Sequence, residues 1–397
     1  MVPSGLAQLG LGNGRRLLAT AGRIASRRET TMPSDRPIEA RITRRRFSAL
    51  SAVGVAAAVL PLGYGLGQRV AQAQSDTVIT MVTDTAGLGD QNFNDLANKG
   101  GTQAAAEFGF TWKVIESADP AQYIPNLTAG AEQGELTVGV GFLLTDAITE
   151  VANQFPDDNF LLIDSVSEAA NVRSVTFKEN EPAFLAGVVA GQATKTNKLG
   201  IVGGQRIPPV IRYEVGFVAG VKSVNPNAEI NIAYADTFGD PPKGKELALA
   251  QYEQGADIIL PIAGATGIGC YQAAAEKGDG VWVVGADTSQ EHLAPGRELC
   301  TAQKGVDFAV YTGCKDVVND TFTGGAIDYD LKTGGVSLQT IPGRVPDEYV
   351  ALARGYEKLI VEGTLVVPVD DETLAAFTPP ERPEPVAEAS PAATPST

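Results

Sequence analysis

Histidine is nearly absent from this chain of 397 residues, and its scarcity limits the chemistry that is available. His292 is the one histidine, and it lies among polar residues of a predicted loop. A serine nucleophile needs a neighbouring histidine that accepts its proton, and no group of residues here has the spacing of a metal site. The sequence therefore argues against a nucleophilic or metal-dependent hydrolase. We predict a protein that is not an enzyme and that holds no metal and no cofactor.

Basic residues are scarce outside the N-terminal region. The first 73 residues hold 11 of the 31 Lys and Arg residues, all of them Arg, but only 3 of the 47 Asp and Glu residues. Subtracting 11 from 31 and 3 from 47 leaves 20 basic and 44 acidic residues, a net charge of −24. A surface of this charge repels nucleic acid and anionic membranes. We therefore predict no nucleic-acid partner, whereas a neutral small molecule is not repelled.

The N-terminal region has the three parts of a twin-arginine export signal in the expected order. Thr-Arg-Arg-Arg-Phe occupies residues 43–47, an uncharged stretch covers 47–68, and Ala-Gln-Ala at 71–73 resembles a cleavage site. We predict that region 1–73 directs export to the periplasm or another extracytoplasmic space. The rival interpretation is an uncleaved anchor that retains the protein at the membrane, since about 20 apolar residues span a bilayer.

Residues 1–31 resemble no part of an export signal. We hypothesise that translation starts at Met32, which a peptide from residues 1–31 in the precursor would contradict. No cysteine lies near the cleavage site, so the sequence does not support lipid attachment there.

Cysteine is scarce as well. Cys270, Cys300 and Cys314 are an odd number of cysteines, which leaves at least one thiol unpaired in an exported protein. Their spacing matches no zinc motif, and small buried residues are the default interpretation. A Cys270–Cys300 disulfide is an alternative that the sequence does not decide.

Between about residues 75 and 377, short apolar runs alternate with helix-like stretches. Near-continuous apolar runs flanked by helices are typical of parallel strands buried on both faces. The predicted strands form two groups of five: 78–82, 112–115, 138–142, 160–163 and 174–177, then 199–203, 230–235, 258–262, 281–285 and 299–303. The clearest predicted helices are 96–108, 121–133, 146–155, 181–194, 212–224, 243–255, 268–277 and 305–321.

Two groups of strands predict an α/β fold of two doubly wound lobes with a cleft between them. One large sheet is the alternative. From about residue 378 the chain becomes rich in Pro, Ala and Glu. Such a segment has too few apolar residues to form a core, so we predict a disordered tail over 378–397.

A loop after the first predicted strand combines an aromatic ring with short hydrogen-bonding side chains. Asp84 ends the strand, and Phe93 and Asn94 follow a loop that contains two glycines. In an open α/β sheet, small molecules bind beyond the carboxyl ends of strands, where such loops lie. A ring beside polar groups suits a flat polar molecule such as a nucleoside. The alternative is an ordinary turn with capping Asn and Asp residues.

Three further clusters follow strands in the second half of the chain. Phe238 lies in a polar loop and needs burial from a ligand ring or from the opposite lobe. Gly264 lies in a glycine-rich segment that lacks the phosphate-loop pattern and instead suggests close approach of the backbone to a ligand. Asp287 ends a strand, where a carboxylate accepts ribose hydroxyls or caps a helix. Lys304 follows another strand and either pairs with Asp287 or reaches the ligand; an ordinary solvated lysine is the alternative.

These clusters, in this order, resemble the basic membrane protein family of substrate-binding proteins, which includes the purine nucleoside receptors of ABC importers. The resemblance covers about residues 77–370. It rests on six ordered motifs, at 82–84 with 90–94, 203–204 with 216–221, 236–240 with 243–245, 263–267, 284–287, and at Lys304.

The resemblance implies a type I periplasmic-binding fold, with two lobes joined by three crossovers that close on the ligand. The first lobe would hold 76–177 and 304–323, and the second 178–303 and 324–377. The resemblance implies that Phe93 and Phe238 stack on the base and that Asp84 and Asn94 form hydrogen bonds with it. Asp287 and Lys304 would contact the ribose, and Gly264 would provide a backbone contact. Asp146, after the strand 138–142, is a weaker candidate of the same kind.

We therefore predict an exported, monomeric receptor that captures a nucleoside, preferably a purine nucleoside, and delivers it to an ABC permease. A receptor of the same fold for a sugar or another small polar solute is the main alternative. A sensor that feeds a signalling protein is a second alternative. An enzyme that acts on nucleosides is a third, against which the lack of catalytic groups argues.

Overall fold

The computed structural model describes residues 76–386, in which strands and helices alternate as the sequence predicts. The strands are β1 (Val78–Val82), β2 (Thr111–Ile115), β3 (Leu136–Val140), β4 (Asn159–Ile163), β5 (Val172–Phe177), β6 (Lys198–Gly203), β7 (Glu229–Tyr234), β8 (Ile258–Ile262), β9 (Trp282–Asp287), β10 (Glu298–Lys304), β11 (Gly325–Tyr329) and β12 (Val336–Thr340). The helices are α1 (Phe93–Phe108), α2 (Tyr123–Gln133), α3 (Thr145–Gln154), α4 (Asn180–Ala193), α5 (Pro208–Val224), α6 (Pro241–Glu253), α7 (Ala265–Lys277), α8 (Val306–Val318), α9 (Asp347–Val361) and α10 (Asp371–Ala376).

The strands form two six-stranded sheets. The first sheet has the order β11-β5-β4-β3-β1-β2, and the second has the order β12-β10-β9-β8-β6-β7. Neighbouring strands are parallel except for β12, which is antiparallel to β10. In each sheet the strand order changes direction at the first strand of the group, which is β1 in the first sheet and β6 in the second. The two sheets therefore confirm the α/β fold with two doubly wound lobes.

Continuous apolar sequence explains why the central strands form where they do. Every residue of β3 and of β8 is buried, as expected for strands covered by helices on both faces. Helix α4 is buried along most of its length and packs against α5 and α9, while α8 packs against α1. The glycines of α4 allow its close packing on α5, since a Cβ at Gly187 would lie 2.3 Å from the carbonyl oxygen of Phe217.

The edge strands β11 and β12 and the helices α9 and α10 are additions to the predicted elements. Most residues of β11 are exposed or half-buried, because β11 lies at the edge of the first sheet. Its sequence therefore lacks the apolar run that identifies central strands. Strand β12 is also an edge strand, and its buried and less buried residues alternate.

Strand β11 corrects one predicted lobe boundary. The sequence analysis places 324–377 in the second lobe, but β11 pairs with β5 in the first sheet, with Gly325 opposite Arg173. The chain returns to the second sheet only after Tyr329, because β12 is the next strand that joins β10.

Part of the segment that the sequence predicts as a disordered tail contacts α9. The Val386 N–H donates a hydrogen bond to the Ala351 carbonyl at 2.8 Å. Gly355 permits this approach, since a Cβ there would lie 2.5 Å from the Glu384 carbonyl oxygen. The rest of the predicted tail and the predicted export signal lie outside the described residues.

The three cysteines are buried and unpaired. The alternative of a Cys270–Cys300 disulfide is therefore wrong, and the default interpretation as small buried residues is confirmed. Burial raises the pKa of the Cys270 thiol to about 12. Within residues 76–386, no helix is both long and apolar enough to cross a membrane.

Candidate functional site

A cavity lies between loops that follow strands of both sheets. The space between its walls is about 570 Å³, which includes space open to solvent. Seven of the eight predicted site residues line it: Asp84, Phe93, Asn94, Phe238, Gly264, Asp287 and Lys304. The remaining walls are mostly apolar and include Phe142, Leu143, Ile207, Val210 and Ile262.

Asp146 is the exception among the predicted site residues. It lies in the first turn of α3, where its side chain is exposed and away from the cavity lining. A short 3-10 turn at Phe142–Leu144 separates the end of β3 from α3. Gly141, Phe142 and Leu143 therefore occupy the cavity wall at this strand end, and the structure does not bring Asp146 to the cavity.

On the first-sheet side, two carboxylates and one amide form a buried polar cluster. Asn94 Nδ2 donates to Asp84 Oδ1 at 2.9 Å and to Asp90 Oδ2 at 3.1 Å. Asp90 also accepts the backbone N–H groups of Asn92, Asn94 and Asp95, which ties the loop to the start of α1. Burial raises the pKa of the Asp84 carboxyl to about 6, against the effect of these hydrogen bonds.

The two predicted stacking residues belong to different sheets. Phe93 is the first residue of α1, and the Lys304 ammonium lies 5.0 Å from the centre of its ring. Phe238 lies in the loop between β7 and α6, where only 9% of its surface is exposed. Its backbone carbonyl accepts the Thr266 N–H at 3.0 Å, and the loop ends where the Asp240 side chain accepts the Lys243 N–H.

Two glycines determine where Phe238 lies. A Cβ at Gly204 would lie 2.3 Å from the ring of Phe238, so glycine makes room for the ring at the end of β6. Gly264 has φ +55° and leads into α7. A Cβ there would lie 3.3 Å from the Phe238 carbonyl oxygen and 3.8 Å from Ala86 Cβ, so the loops of the two sheets approach each other at this point.

Lys304 is the centre of a buried ionic network. Its ammonium lies 2.6 Å from Asp164 Oδ2 and 3.0 Å from Glu179 Oε1, and all three side chains are almost fully buried. Arg212 Nε donates to the other oxygen of Glu179. Burial favours the neutral amine, but the charges of Asp164 and Glu179 outweigh it and hold the pKa of Lys304 above its usual value.

Asp287 is held by a helix behind the cavity. The Tyr213 hydroxyl, on α5, donates to Asp287 Oδ1 at 2.8 Å. Asp287 has φ +60°, and Asp164 has φ +74°, so both carboxylates end their strands in the left-handed region. Loss of contact with water raises the pKa of Asp287, against the attraction of Lys304.

Four polar residues of the site, Asp164, Asp90, Tyr213 and Glu179, were absent from the predicted set. Asp164 follows β4 directly, so the strand-end argument that identifies Asp84 and Asp287 applies to it equally. Asp90 belongs to the same loop as Asp84. Tyr213 lies on α5, and Glu179 directly precedes α4. Neither position follows a strand, so no strand-end pattern indicates a site there.

A further contact joins the two halves of the chain beside the cavity. His292 Nε2 lies 2.6 Å from Gln91 Oε1, and both side chains are exposed. Gln91 belongs to the loop between β1 and α1, and His292 to the turn after β9.

The sequence model of one family matches residues 77–371, and its description is "ABC transporter substrate-binding protein PnrA-like" (Bmp). The chain belongs to this family. It is 35% identical over 322 residues to a Lactococcus lactis protein named "ABC transporter nucleoside-binding protein BmpA", covering 74% of this chain and 91% of that one. It is 37% identical over 319 residues to a Listeria monocytogenes protein named "CD4+ T-cell-stimulating antigen", covering 75% of this chain and 89% of that one.

A solved structure supports the same assignment. The crystal structure of an ABC transporter solute-binding protein from Aeropyrum pernix matches with a TM-score of 0.68 and 30% identity, covering 76% of this chain and 96% of that one. The predicted Bmp family and the type I periplasmic-binding fold are thereby confirmed. As a Bmp protein, the chain is a substrate-binding protein of an ABC importer. Proteins of this class act outside the cytoplasm and bind solutes for a permease.

Proposed function

We propose that this Bmp protein captures nucleosides, preferably purine nucleosides, in the cavity between its two sheets. The observation that carries the proposal is the pair of rings in one cavity, Phe93 from the first sheet and Phe238 from the second. The name of the Lactococcus lactis relative, a nucleoside-binding protein, supports the same ligand class.

The base would stack on Phe93 and Phe238. Stacking on an aromatic side chain contributes roughly 1–3 kcal/mol per base. Because each ring belongs to a different sheet, the base gains both contacts only when the two lobes are closed on it. The ligand therefore shifts the population toward the closed form, whose combined surface the permease would recognise.

The other end of the cavity suits a ribose. Asp287 and Asp164 line the cavity and offer carboxylate oxygens, which accept hydrogen bonds from hydroxyl groups, and the Lys304 ammonium lies 2.6 Å from Asp164 Oδ2. Tyr213 orients Asp287 through its own hydrogen bond. One buried lysine does not neutralise the carboxylates Asp84, Asp90, Asp164 and Asp287 that line the cavity, which favours a neutral ligand over a phosphorylated one.

We further propose that the receptor is monomeric and reaches its extracytoplasmic site by the twin-arginine route. The three crossovers between the sheets, after β5, β10 and β11, would act as the hinge. In this proposal the first lobe comprises 76–177 and 304–329, and the second comprises 178–303 and 330–377.

Native mass spectrometry tests the ligand class directly. The purified protein is measured alone and after addition of a nucleoside mixture, and we expect a bound mass that matches a purine nucleoside. If a sugar is carried through purification instead and no nucleoside binds, the fold stands and the proposed specificity is wrong.

Alanine variants test the site. We expect Phe93→Ala and Phe238→Ala each to weaken nucleoside binding by roughly 1–3 kcal/mol, measured by isothermal titration calorimetry. Phe308→Ala is the matched control, because Phe308 is 53% exposed and lies outside the cavity lining. If both cavity variants bind like the control, the site assignment is wrong.

A further inference from the structure

The side-chain amide of Asn94 has only one orientation that satisfies its neighbours. Its Nδ2 donates one hydrogen to Asp84 Oδ1 and the other to Asp90 Oδ2. Turning the amide over would place its oxygen against two carboxylate oxygens, which only accept hydrogen bonds when ionised. Asn94 Oδ1 therefore remains as the free atom of this buried side chain, and it has no partner among the described residues.

Asp84 is held in the same way and leaves a second free acceptor. Its Oδ1 accepts the Ala86 N–H at 3.0 Å as well as Asn94 Nδ2. No hydrogen bond from the described residues reaches its Oδ2. A Cβ at Gly141 would lie 3.3 Å from Asp84 Oδ2 and 3.5 Å from Phe93 Cε1, so this oxygen and the edge of the Phe93 ring flank one glycine of the cavity wall.

We propose that this edge of the cavity, formed by Asp84 Oδ2 and Asn94 Oδ1, offers only hydrogen-bond acceptors and selects nucleosides whose base carries an exocyclic amino group. The inference rests on the proposed nucleoside function and adds a substrate class to it. A base that stacks on Phe93 presents its polar edge to these two oxygens, and each contact there requires a donor on the ligand.

The purines differ in the donors that they offer. Guanine has N1–H and a 2-amino group side by side, and adenine has two hydrogens on its 6-amino group. Hypoxanthine has N1–H but no amino group, and its O6 is an acceptor. Unsubstituted purine has neither donor on its pyrimidine ring. Guanosine and inosine therefore form one pair of ligands that differ by a single amino group, and adenosine and purine riboside form another.

The first experiment is isothermal titration calorimetry of the purified protein with these four nucleosides at pH 8. Leaving a buried acceptor unpaired is costly enough to change affinity about tenfold or more. We expect guanosine to bind at least tenfold more tightly than inosine, and adenosine at least tenfold more tightly than purine riboside. Ratios below threefold in both pairs, with nucleosides still bound, would overturn this inference alone. Binding of none of the four would instead overturn the proposed function.

A single isosteric variant tests which atom makes the selection. In Asp84→Asn, the Ala86 N–H and Asn94 Nδ2 continue to require an acceptor, so the new amide places its oxygen at the Oδ1 position. Its Nδ2 then replaces Oδ2 and turns an acceptor into a donor. We expect the preference for guanosine over inosine to fall at least tenfold, because the new donor no longer accepts a hydrogen bond from the 2-amino group, which only guanosine carries. An unchanged ratio in a variant with the wild-type circular dichroism spectrum would overturn the role of Asp84.

Lowering the pH also gives Asp84 a hydrogen-bond donor, without a substitution. Because burial raises the pKa of Asp84 to about 6, lowering the pH from 8 to 5 protonates this carboxyl and adds an O–H donor. The titratable neighbours are Asp90 in the same loop, which raises this pKa, and Tyr123 on α2, whose pKa Asp84 raises. The Lys304 ammonium lies beyond the Phe93 ring and keeps its charge over this range.

We expect the guanosine preference of the wild type to fall with acid while that of Asp84→Asn stays constant. An equal pH dependence in both proteins would assign the titration to another carboxyl of the cavity, such as Asp90 or Asp164, and would contradict the role of Asp84.

Discussion

Methionine in place of Lys304 keeps the length of this buried side chain and removes its charge. In the wild type, the ammonium lies within 3.0 Å of both Asp164 and Glu179, whose side chains are 7% and 0% exposed. Glu179 keeps a partner in the variant, because Arg212 still donates to it. Asp164 loses its ionic partner, and its Oδ1 already has no hydrogen-bond partner.

The expected loss follows from this geometry. Removing one member of a buried ion pair leaves an unpaired buried charge and typically costs about 3–5 kcal/mol of unfolding free energy. We expect Lys304→Met to fall in this range at pH 8, measured by urea unfolding followed by circular dichroism. Lys178→Met is the matched control, since Lys178 is 41% exposed and pairs with Asp330 at 3.0 Å. Exposed pairs contribute about 1 kcal/mol or less.

The pH dependence gives the prediction a definite sign. Burial raises the pKa of Asp164 to about 7 even though the nearby Lys304 lowers it, so loss of Lys304 raises this pKa further. A carboxyl whose pKa is raised on folding stabilises the fold in its protonated form and loses that contribution as the pH rises toward the folded pKa. The difference between Lys304→Met and wild type should therefore shrink between pH 8 and pH 5. A loss below 1 kcal/mol at pH 8, or a loss that is the same at both pH values, would refute the assigned role of Lys304.

Three further changes test the loops around the cavity. In Gly204→Ala, the new Cβ would lie 2.3 Å from the ring of Phe238, so we expect the ring to move and calorimetry to show at least tenfold weaker nucleoside binding; unchanged affinity would contradict the assigned role of the glycine. Asp240→Ala removes a side chain that accepts the Lys243 N–H at the start of α6, and should lower the unfolding free energy by about 1 kcal/mol in urea. Gln91→Ala removes the contact with His292 and should speed ligand release several-fold in stopped-flow fluorescence, whereas an unchanged rate would mean that this contact does not hold the lobes closed.

Local sequence patterns were sufficient for the central architecture. All ten predicted strands correspond to β1–β10. Strands buried on both faces have continuous apolar sequences, such as that of β8, which makes them recognisable in the sequence. The position of Asp84 and Asp287 after parallel strands also predicted that they lie at the cavity. A residue at the carboxyl end of a parallel strand lies at the edge of the sheet where ligands bind. The ordered motifs that include Phe93 and Phe238 were specific enough to predict the Bmp family.

Tertiary structure decided what depends on residues far apart in the chain. Lys304 and Asp164 are separated by 140 positions, and only the crossover between the sheets brings them together, so a local pattern shows neither residue's partner. The sheet that β11 joins is likewise a matter of long-range pairing. Asp146 satisfied the same local pattern as Asp84 but is turned away by the 3-10 turn before α3. The orientation of the Asn94 amide depends on two carboxylates that surround it in space, and composition alone does not specify that geometry.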